Sequence, residues 1–406
     1  MILEPEAGAG LPSELREQHG CRLSTLWCRS SNGVASMQIY LDHNSTTPVD
    51  SRVVEAMLPF FQEAFANPSS AHTGGAIASR AIESARFLVA ELVGTEPEGI
   101  TFCSSATEAI NTVIASAKGK IVTTVAEHAA TLSAVERMER TGTQIVRLSV
   151  DHNGQLDVDE LGDAIDAGTA LVSLLWANNE TGAIFPIERI ADLCASRSVP
   201  LHVDAVQAAG KLPIDLREVP IDFLSISAHK MNGPKGIAAL ITGGTARVKP
   251  LLVGGHQEGG RRAGTENVPG IVGFGAAASL ALKEMAHRTD TVKPLRDRLE
   301  TSLIERLHSC WVNANNSPRL VNTSNIGFLN VDGDDLAAAL DARGIFVSTG
   351  SACHANATEP SHVIRAMTHS YDAARSSVRF SLGHSTTLAE IDYVIDAVVS
   401  AVADRR

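Results

Sequence analysis

The sequence predicts an α/β fold in which a large domain with a mainly parallel seven-stranded sheet precedes a smaller α+β domain. Between residues 50 and 285, short apolar runs alternate with helical patterns, which is typical of parallel strands joined by crossover helices. After residue 285 the apolar runs are fewer and more widely spaced. A chain of 406 residues is long enough for two domains, each with its own core.

Each element of the large domain follows from the period of its apolar residues. Runs of three to seven mostly apolar residues predict strands, and apolar residues three or four apart predict helices. The predicted strands are residues 100–102, 120–125, 144–148, 170–176, 200–203, 222–226 and 238–241. The predicted helices between them are residues 79–92, 107–117, 131–141, 158–167 and 186–197, and a longer helix over 268–287 leads out of the domain.

The domain boundaries follow from the same patterns. The large domain is predicted over residues 37–285, with a strand near Tyr40 contributing to the smaller domain over 286–406. Residues 1–36 have no apolar periodicity and are predicted to be a disordered extension. A targeting or partner-binding arm is the alternative for this segment.

Charge and cysteine content exclude several classes of protein. The formal charge of −12 argues against a nucleic-acid-binding surface, and no apolar run reaches membrane-spanning length. Scattered cysteines without a CxxC pair are typical of a reducing compartment, so a cytoplasmic location without a zinc site is expected. The six cysteines are Cys21, Cys28, Cys103, Cys194, Cys310 and Cys353.

A lysine and an aspartate follow two of the predicted strands, at the ends where such sheets bind ligands. Asp204 comes directly after the run 200–203, and Lys230 follows the run 222–226. Pyridoxal phosphate needs a carboxylate for its pyridinium nitrogen and an amine that forms a Schiff base with its aldehyde. The pair therefore predicts a site for pyridoxal phosphate.

Two other strand ends carry residues that suit this cofactor. Ala106 and Thr107 lie in a turn of small residues that opens a helix, where N–H groups and a hydroxyl can bind a phosphate. Ordinary capping of that helix by Thr107 is the alternative. His128 also follows a strand. Its ring suits stacking on a pyridine, or it caps the next helix.

Polar residues elsewhere are candidates for binding the substrate or an anion. Asn178 and Asn179 follow a strand and either form a turn or reach the ligand. The glycine- and arginine-rich segment 254–267 suits an anionic ligand, with a solvated loop as the alternative. Arg379 lies in a predicted strand of the smaller domain and suits a bidentate contact with a carboxylate, or is an edge-strand arginine.

One cysteine lies in an unusual context. Cys353 belongs to a long run of small and polar residues, where an exposed thiol that can react is expected. Most single cysteines are instead small buried apolar residues, and this is the interpretation for Cys103, Cys194 and Cys310.

Taken together, these segments resemble the cysteine desulfurases of the NifS/IscS type, within the class V aminotransferase family. The resemblance extends from about Met37 to near the C-terminus. It rests on the motifs at residues 40–48, 67–70, 178–182, 227–230, 262–267, 350–353 and 359–362. It implies the type I fold of pyridoxal phosphate-dependent transferases.

The resemblance also implies which residues bind the cofactor. Lys230 is the residue linked to the cofactor and later moves protons, and Asp204 holds the pyridinium nitrogen. Gln207 holds the phenolic oxygen, and His128 stacks on the ring with a catalytic role. The phosphate is held by Ala106, Thr107, Ser227 and His229, with Thr265 reaching in from the other subunit of a homodimer. Asn179 is implied as a further residue at the cofactor.

The substrate of such enzymes is L-cysteine, and Asn44, Asn179 and Arg379 are implied to bind it. Cys353 is implied to attack the substrate sulfur and carry it as a persulfide, and to serve as a transient ligand of an iron–sulfur cluster; no other metal ligand is implied. The products are L-alanine and sulfur transferred to an acceptor protein, an iron–sulfur scaffold or a thiolation enzyme. The alternatives are a selenocysteine lyase or cysteine β-lyase without an obligatory persulfide, and a non-catalytic scaffold.

Overall fold

The structure is a computed structural model that describes residues 38–244, 246–350 and 359–405. From Ile39 onward the chain forms one compact unit. The predicted extension over residues 1–36 lies outside the described residues, and so does Cys353.

The strands form three sheets. In chain order they are β1 (Ile39–Tyr40), β2 (Ile100–Cys103), β3 (Lys120–Thr124), β4 (Ile145–Leu148), β5 (Thr169–Leu175), β6 (Leu201–Asp204), β7 (Phe223–Ser227), β8 (Ala238–Thr242), β9 (Cys310–Val312), β10 (Thr323–Phe328), β11 (Ile345–Phe346) and β12 (Ser377–Ser381). The large sheet has seven strands in the order β2-β8-β7-β6-β5-β3-β4. Strand β8 runs in the direction opposite to the other six strands. The mainly parallel sheet predicted from the sequence is thus confirmed, with all seven strands in place.

Helices cover the large sheet and connect its strands. They are α1 (Ser51–Met57), α2 (Pro59–Gln62), α3 (Thr73–Val93), α4 (Ala106–Ser116), α5 (Ala129–Arg140), α6 (Val158–Ala164), α7 (Ile187–Ser196), α8 (Val268–Leu307), α9 (Gly333–Asp341), α10 (His362–Thr368), α11 (Tyr371–Arg375) and α12 (Leu388–Ala403). Apolar side chains of α4 and α5 form one cluster with strands of the sheet. Those of α3, α7 and the first half of α8 belong to a second, larger cluster. This two-sided cover is what a buried parallel sheet requires, because both of its faces are apolar.

The other five strands, together with α9, α12 and the second half of α8, surround a third apolar cluster. The strands β9, β10 and β12 form an antiparallel sheet, and β1 pairs in parallel with β11. Phe328 and Phe380 lie in this cluster together with side chains of α9 and α12.

Helix α8 is longer than the sequence pattern predicted. It continues past residue 287 to Leu307 and includes Pro294. Proline usually interrupts a helix, but Val292, Leu299 and Leu303 keep the helical spacing and are buried in the third cluster. The boundary at residues 285 and 286 falls inside this continuous helix, so that boundary stays a prediction.

Among the described residues, we find no helix with both the length and the apolar character needed to cross a bilayer.

Candidate active site

The carboxyl ends of neighbouring strands in the large sheet meet at two adjoining cavities. One cavity is lined by residues that follow β5, β6 and β7 and by Arg379 of β12. The other lies beside the first turn of α4. His128, Asp204, Val206 and Lys230 line both cavities, so the two are halves of one site.

Asp204 lies at the centre of this site because it is the last residue of β6. It pairs with Leu175 of β5 on one side and with Ser225 of β7 on the other. The carboxylate is buried, and Oδ1 accepts a hydrogen bond from the Val206 N–H at 3.0 Å. Burial raises the pKa of the Asp204 carboxyl, while the nearby His128 and Lys230 act to lower it. A buried carboxylate is favourable only with a cationic or hydrogen-bonding partner, and a protonated pyridine nitrogen supplies one.

Lys230 ends a short 3₁₀ turn that directly follows β7. Its Nζ donates to the carbonyl oxygens of Asn44, at 2.5 Å, and Ser45, at 2.7 Å. The turn brings the amine to the wall shared by both cavities. The lysine and the aspartate predicted from the strand ends therefore face one site.

The first turn of α4 faces the second cavity. Ser105 caps this helix by accepting a hydrogen bond from the Glu108 N–H, so capping is not the role of Thr107. The same cavity is lined by Ala106, Thr107, Ser227 and His229. Burial, and then Lys230, lower the pKa of His229 to about 4, so its ring is neutral near pH 7.

His128 caps α5, as one of its two predicted roles requires, because its Nδ1 accepts a hydrogen bond from the Ala130 N–H at 3.1 Å. It also lines both cavities, together with Asp204 and Lys230. Stacking of its ring on a pyridine stays a prediction.

Arg379 enters the first cavity from the three-stranded sheet. Its Nη1 donates to the Asn179 carbonyl at 3.0 Å, and its Nη2 contacts Asp42 Oδ1 at 2.5 Å. Its Nε is buried and has no hydrogen-bond partner among the described residues. A buried donor of this kind is costly unless a ligand satisfies it. Arg379 belongs to an edge strand, yet its side chain points into the site rather than to solvent.

The two asparagines after β5 have different surroundings. Asn178 is a turn former, since its Oδ1 accepts from the N–H groups of Glu180 and Thr181. Asn179 lines the first cavity, and its carbonyl accepts from Arg379.

Asn44 lines the same cavity, but its side chain is engaged by protein groups. Its Nδ2 donates to the Asn179 carbonyl and to Thr323 Oγ1. Its Oδ1 accepts from Asn322 Nδ2 at 2.9 Å. This geometry favours a role in holding the site together over a direct substrate contact, so substrate binding by Asn44 stays a prediction.

Gln207 has a neighbour that the sequence patterns did not single out. Its Nε2 donates to the Asn44 carbonyl at 2.9 Å, and its Oε1 accepts from Lys211 Nζ at 2.8 Å. The spacing of four residues between Gln207 and Lys211 is the only signal of this contact in the sequence.

One predicted site residue does not reach either cavity: Thr265 is exposed and lines neither of them. Cys353 lies outside the described residues. In the segment 254–267, Arg262 pairs with Glu108 at 3.0 Å and buried Glu258 pairs with Arg86 at 2.8 Å, so this segment is anchored to α3 and α4.

The residues present fit pyridoxal phosphate. Asp204 supplies a buried carboxylate, Lys230 an amine, and the first turn of α4 a set of N–H groups for a phosphate. The guanidinium of Arg379 lines the first cavity and can donate to a carboxylate oxygen there.

Comparison with known proteins agrees with this site. The family model described as aminotransferase class-V matches residues 39–394. A cysteine desulfurase of Trichormus azollae is 46% identical over 370 residues, covering 90% of this chain and 92% of the relative. The cysteine desulfurase NifS of Azotobacter vinelandii is 44% identical, covering 91% of this chain and 93% of the relative. A solved structure named NifS-like protein superposes with a TM-score of 0.85 at 35% identity, covering 91% of this chain and 100% of that one. The chain therefore belongs to the aminotransferase class-V family and, within it, to the pyridoxal phosphate-dependent cysteine desulfurases.

Proposed function

We propose that the cavity between Asp204, Lys230 and Arg379 is the active site in which L-cysteine is converted to L-alanine and its sulfur is passed to Cys353. The observation that carries this proposal is the meeting of a buried carboxylate, an amine and an arginine at one cavity, and the Nε of that arginine has no hydrogen-bond partner within the described ranges. A non-catalytic scaffold would have no need to keep this costly arrangement of buried charges.

Several residues are proposed to hold the cofactor. Asp204 binds the pyridine nitrogen, Gln207 binds the phenolic oxygen, and His128 lies against the ring. The first turn of α4 binds the phosphate, together with Ser227 and His229. When bound, pyridoxal phosphate supplies an electron sink that stabilises negative charge at the substrate α-carbon.

Lys230 is proposed to move the proton. Its Nζ removes the proton from the substrate α-carbon and returns a proton later, because it lies at the wall shared by the ring and the substrate. Asp204 and Arg379 carry opposite charges in the same cavity. Asp204 stabilises the pyridine nitrogen of the cofactor, and Arg379 stabilises the carboxylate of the substrate.

Arg379 and Asn179 are proposed to orient the substrate. The guanidinium already contacts Asp42 and the Asn179 carbonyl through its Nη atoms, so its plane is fixed. The guanidinium then donates to the α-carboxylate of cysteine.

Cys353 is proposed to accept the sulfur. Its thiolate attacks the substrate sulfur, an S–S bond forms, and the C–S bond breaks. The electron pair of that bond stays on the substrate carbon, which takes up a proton and becomes the methyl group of alanine. The enzyme is left with a persulfide, from which a thiol of the acceptor protein removes the outer sulfur. The acceptor class remains an iron–sulfur scaffold or a thiolation enzyme.

A homodimer is also proposed. Large apolar side chains are exposed on α2, α3, the loop between them and the segment that follows β8, among them Phe61, Phe65, Phe87 and Val253. Helices α2 and α3 both pack on α8, so these side chains lie on connected elements. An extended exposed apolar surface is typical of an interface, and exposed Thr265 would then reach the phosphate of the partner's site.

Two organisational proposals complete the description. A large domain over residues 37–285 and a smaller one over 286–406 are supported by the separate apolar clusters. A cytoplasmic location is supported by the free thiols of Cys103 and Cys194.

The experiment that tests the proposed function compares Cys353→Ser with Cys310→Ser, a half-buried thiol outside the site. Cys353→Ser should keep the bound cofactor and its spectral response to cysteine, but produce no persulfide and little alanine. Cys310→Ser should behave as the wild type. Full alanine production by Cys353→Ser would favour the lyase alternative and contradict the persulfide step.

A further inference from the structure

Lys211 contacts two side chains of the active site without lining the cavity that holds the substrate. It follows Gln207 by four residues in the turn after β6. Its Nζ donates to Gln207 Oε1 at 2.8 Å and lies 3.5 Å from Asn44 Oδ1. It lines a neighbouring cleft on the other side of Lys230.

We propose that Lys211 is a positioning residue, which donates to Oε1 of Gln207 and thereby turns the amide NH₂ group toward the phenolic oxygen of the cofactor. The inference rests on the proposed role of Gln207 at that oxygen. It adds a residue, Lys211, that acts only through Gln207.

The orientation follows from the chemistry of the two groups. A lysine ammonium has three donors and no acceptor, whereas the Gln207 amide has an acceptor oxygen on one side and a donor NH₂ group on the other. If the Gln207 amide were flipped, its NH₂ group would face the ammonium and the hydrogen bond would be lost. With Oε1 toward Lys211, Nε2 faces the Asn44 carbonyl, and Gln207 lines the first cavity. One N–H of Nε2 is used by the Asn44 carbonyl, and the second is the donor proposed for the phenolic oxygen.

The charges around Lys211 strengthen this role when the site is loaded. No ion pair includes Lys211 within the described ranges. Burial, and then the charges of Lys230 and Arg379, lower the pKa of Lys211 to about 7. The other titratable groups that line its cleft are also basic: His43, Arg288 and His384. An anionic phenolic oxygen one amide away therefore stabilises the charged, fully donating form of Lys211.

A double-mutant cycle on the cofactor-loaded enzyme tests the inference. Lys211→Met keeps the length and apolar stem but removes the donors, Gln207→Leu removes the amide, and the third variant carries both changes. The readout is the absorption spectrum of the bound cofactor between pH 6 and 10, which reports the ionisation of the cofactor. KM for cysteine is a second readout, and Lys211→Arg serves as the variant that keeps a donor.

We expect Lys211→Met to shift the spectral midpoint of the cofactor upward by about one pH unit, which is a tenfold change in proton affinity. Lys211→Arg keeps a donor and should therefore leave the midpoint close to that of the wild type. In the Gln207→Leu background, Lys211→Met should add little, because residues that act through one contact are not additive. If Lys211→Met does not fold, Lys211→Leu takes its place and should show a shift of the same sign.

The outcomes separate this inference from the proposed function. If Gln207→Leu leaves the spectrum unchanged, the role of Gln207 at the cofactor is wrong. If Gln207→Leu shifts the spectrum but Lys211→Met does not, only the inference about Lys211 fails. Equal effects of Lys211→Met in both backgrounds would also overturn it, because Lys211 would then act independently of Gln207.

Discussion

Individual side chains in this site are held by contacts that fix their orientation before any ligand binds. Arg379 is held by Asp42 and the Asn179 carbonyl, and only its Nε lacks a partner among the described residues. Such preorganisation lowers the cost of binding, because little rotamer freedom remains to be lost.

Arg379→Lys should mainly raise KM for L-cysteine. A lysine cannot reproduce the planar contact, and a hydrogen bond to a charged group contributes about 1.5–3 kcal/mol, which corresponds to roughly 10- to 150-fold. Steady-state kinetics measure this effect. Arg365→Lys is the matched control, since Arg365 is exposed and pairs with Glu359 away from the cavity. Unchanged kinetics in Arg379→Lys would assign the carboxylate contact to another residue.

His202 is buried in β6 between two hydroxyls, and this position makes stability depend on pH. Its Nδ1 contacts Ser173 Oγ at 2.8 Å and its Nε2 contacts Ser225 Oγ at 2.9 Å. Burial lowers the pKa of His202 to about 3 from the usual 6.5. The unfolded chain therefore binds a proton below pH 6.5 that the folded chain does not, so stability contributed by neutral His202 is lost as the pH falls from 6.5 toward 3.

His202→Gln, which keeps a donor and an acceptor, should lose less stability than the wild type on acidification. Between pH 7.5 and pH 5 the wild type should lose about 2 kcal/mol more than the variant, at about 1.4 kcal/mol per pKa unit. Urea unfolding at both pH values measures the difference. An equal loss in both proteins would mean that His202 is protonated in the folded state.

At the scale of elements, the segments around the site are joined by a few close contacts. Glu180, one residue after Asn179, is buried and accepts a hydrogen bond from Ser361 Oγ at 2.5 Å. A Cβ added at Gly350 would overlap both Ser361 and the Glu180 carboxylate. Gly350 and Ser361 therefore pack together against the strand end that carries Asn179.

Gly350→Ala should disturb this contact and weaken desulfuration. Overpacking of this kind costs about 1–3 kcal/mol, which lowers the midpoint of thermal unfolding. Because Cys353 follows Gly350 closely in the sequence, alanine production from cysteine should fall more than alanine production from cysteine sulfinate, whose sulfur leaves as sulfur dioxide without a thiol. Gly162→Ala is the control, since a Cβ there meets Leu193 at an ordinary 3.8 Å. Equal loss with both substrates would mean general damage instead.

The sequence patterns predicted the elements better than their contacts. Short apolar runs that alternate with helical patterns identified all seven strands of the large sheet. Parallel strands that are buried on both faces consist of consecutive apolar residues and therefore give this signal. The end of α8 was missed because Pro294 interrupts the pattern on which the prediction rests. The helical spacing of apolar residues continues past this proline, and those residues are buried in the third cluster. Lys211 was missed because its hydrogen bond with Gln207 forms only when the turn after β6 is folded.

At the scale of the whole molecule, the part of the chain before Ile39 is predicted to be dispensable. The compact unit begins at Ile39, and the matched family region begins at the same residue. A shortened chain that starts at Met37 should keep the midpoint of thermal unfolding and the turnover number of the full chain. A large loss of either property would assign a packing or partner-binding role to residues 1–36.

The proposed homodimer, in which Thr265 reaches the partner's site, makes a further prediction about mixed dimers. Thr265→Asp should weaken activity by placing a negative charge beside the cofactor phosphate of the partner's site. Lys230→Ala abolishes the site of its own chain but still offers Thr265 to the other chain. A mixed dimer of the two variants therefore contains one intact site.

Refolding or co-expressing Lys230→Ala with Thr265→Asp in equal amounts should restore about a quarter of wild-type activity, because half of the dimers are mixed and each has one intact site. Mixing Lys230→Ala with Asp204→Asn is the matched control. Both of these residues line the cavity of the same chain, so every site in the mixed dimer lacks one of them and activity should stay at the level of the separate variants. Restoration in the control, or none in the test mixture, would contradict the contribution of Thr265 across the interface.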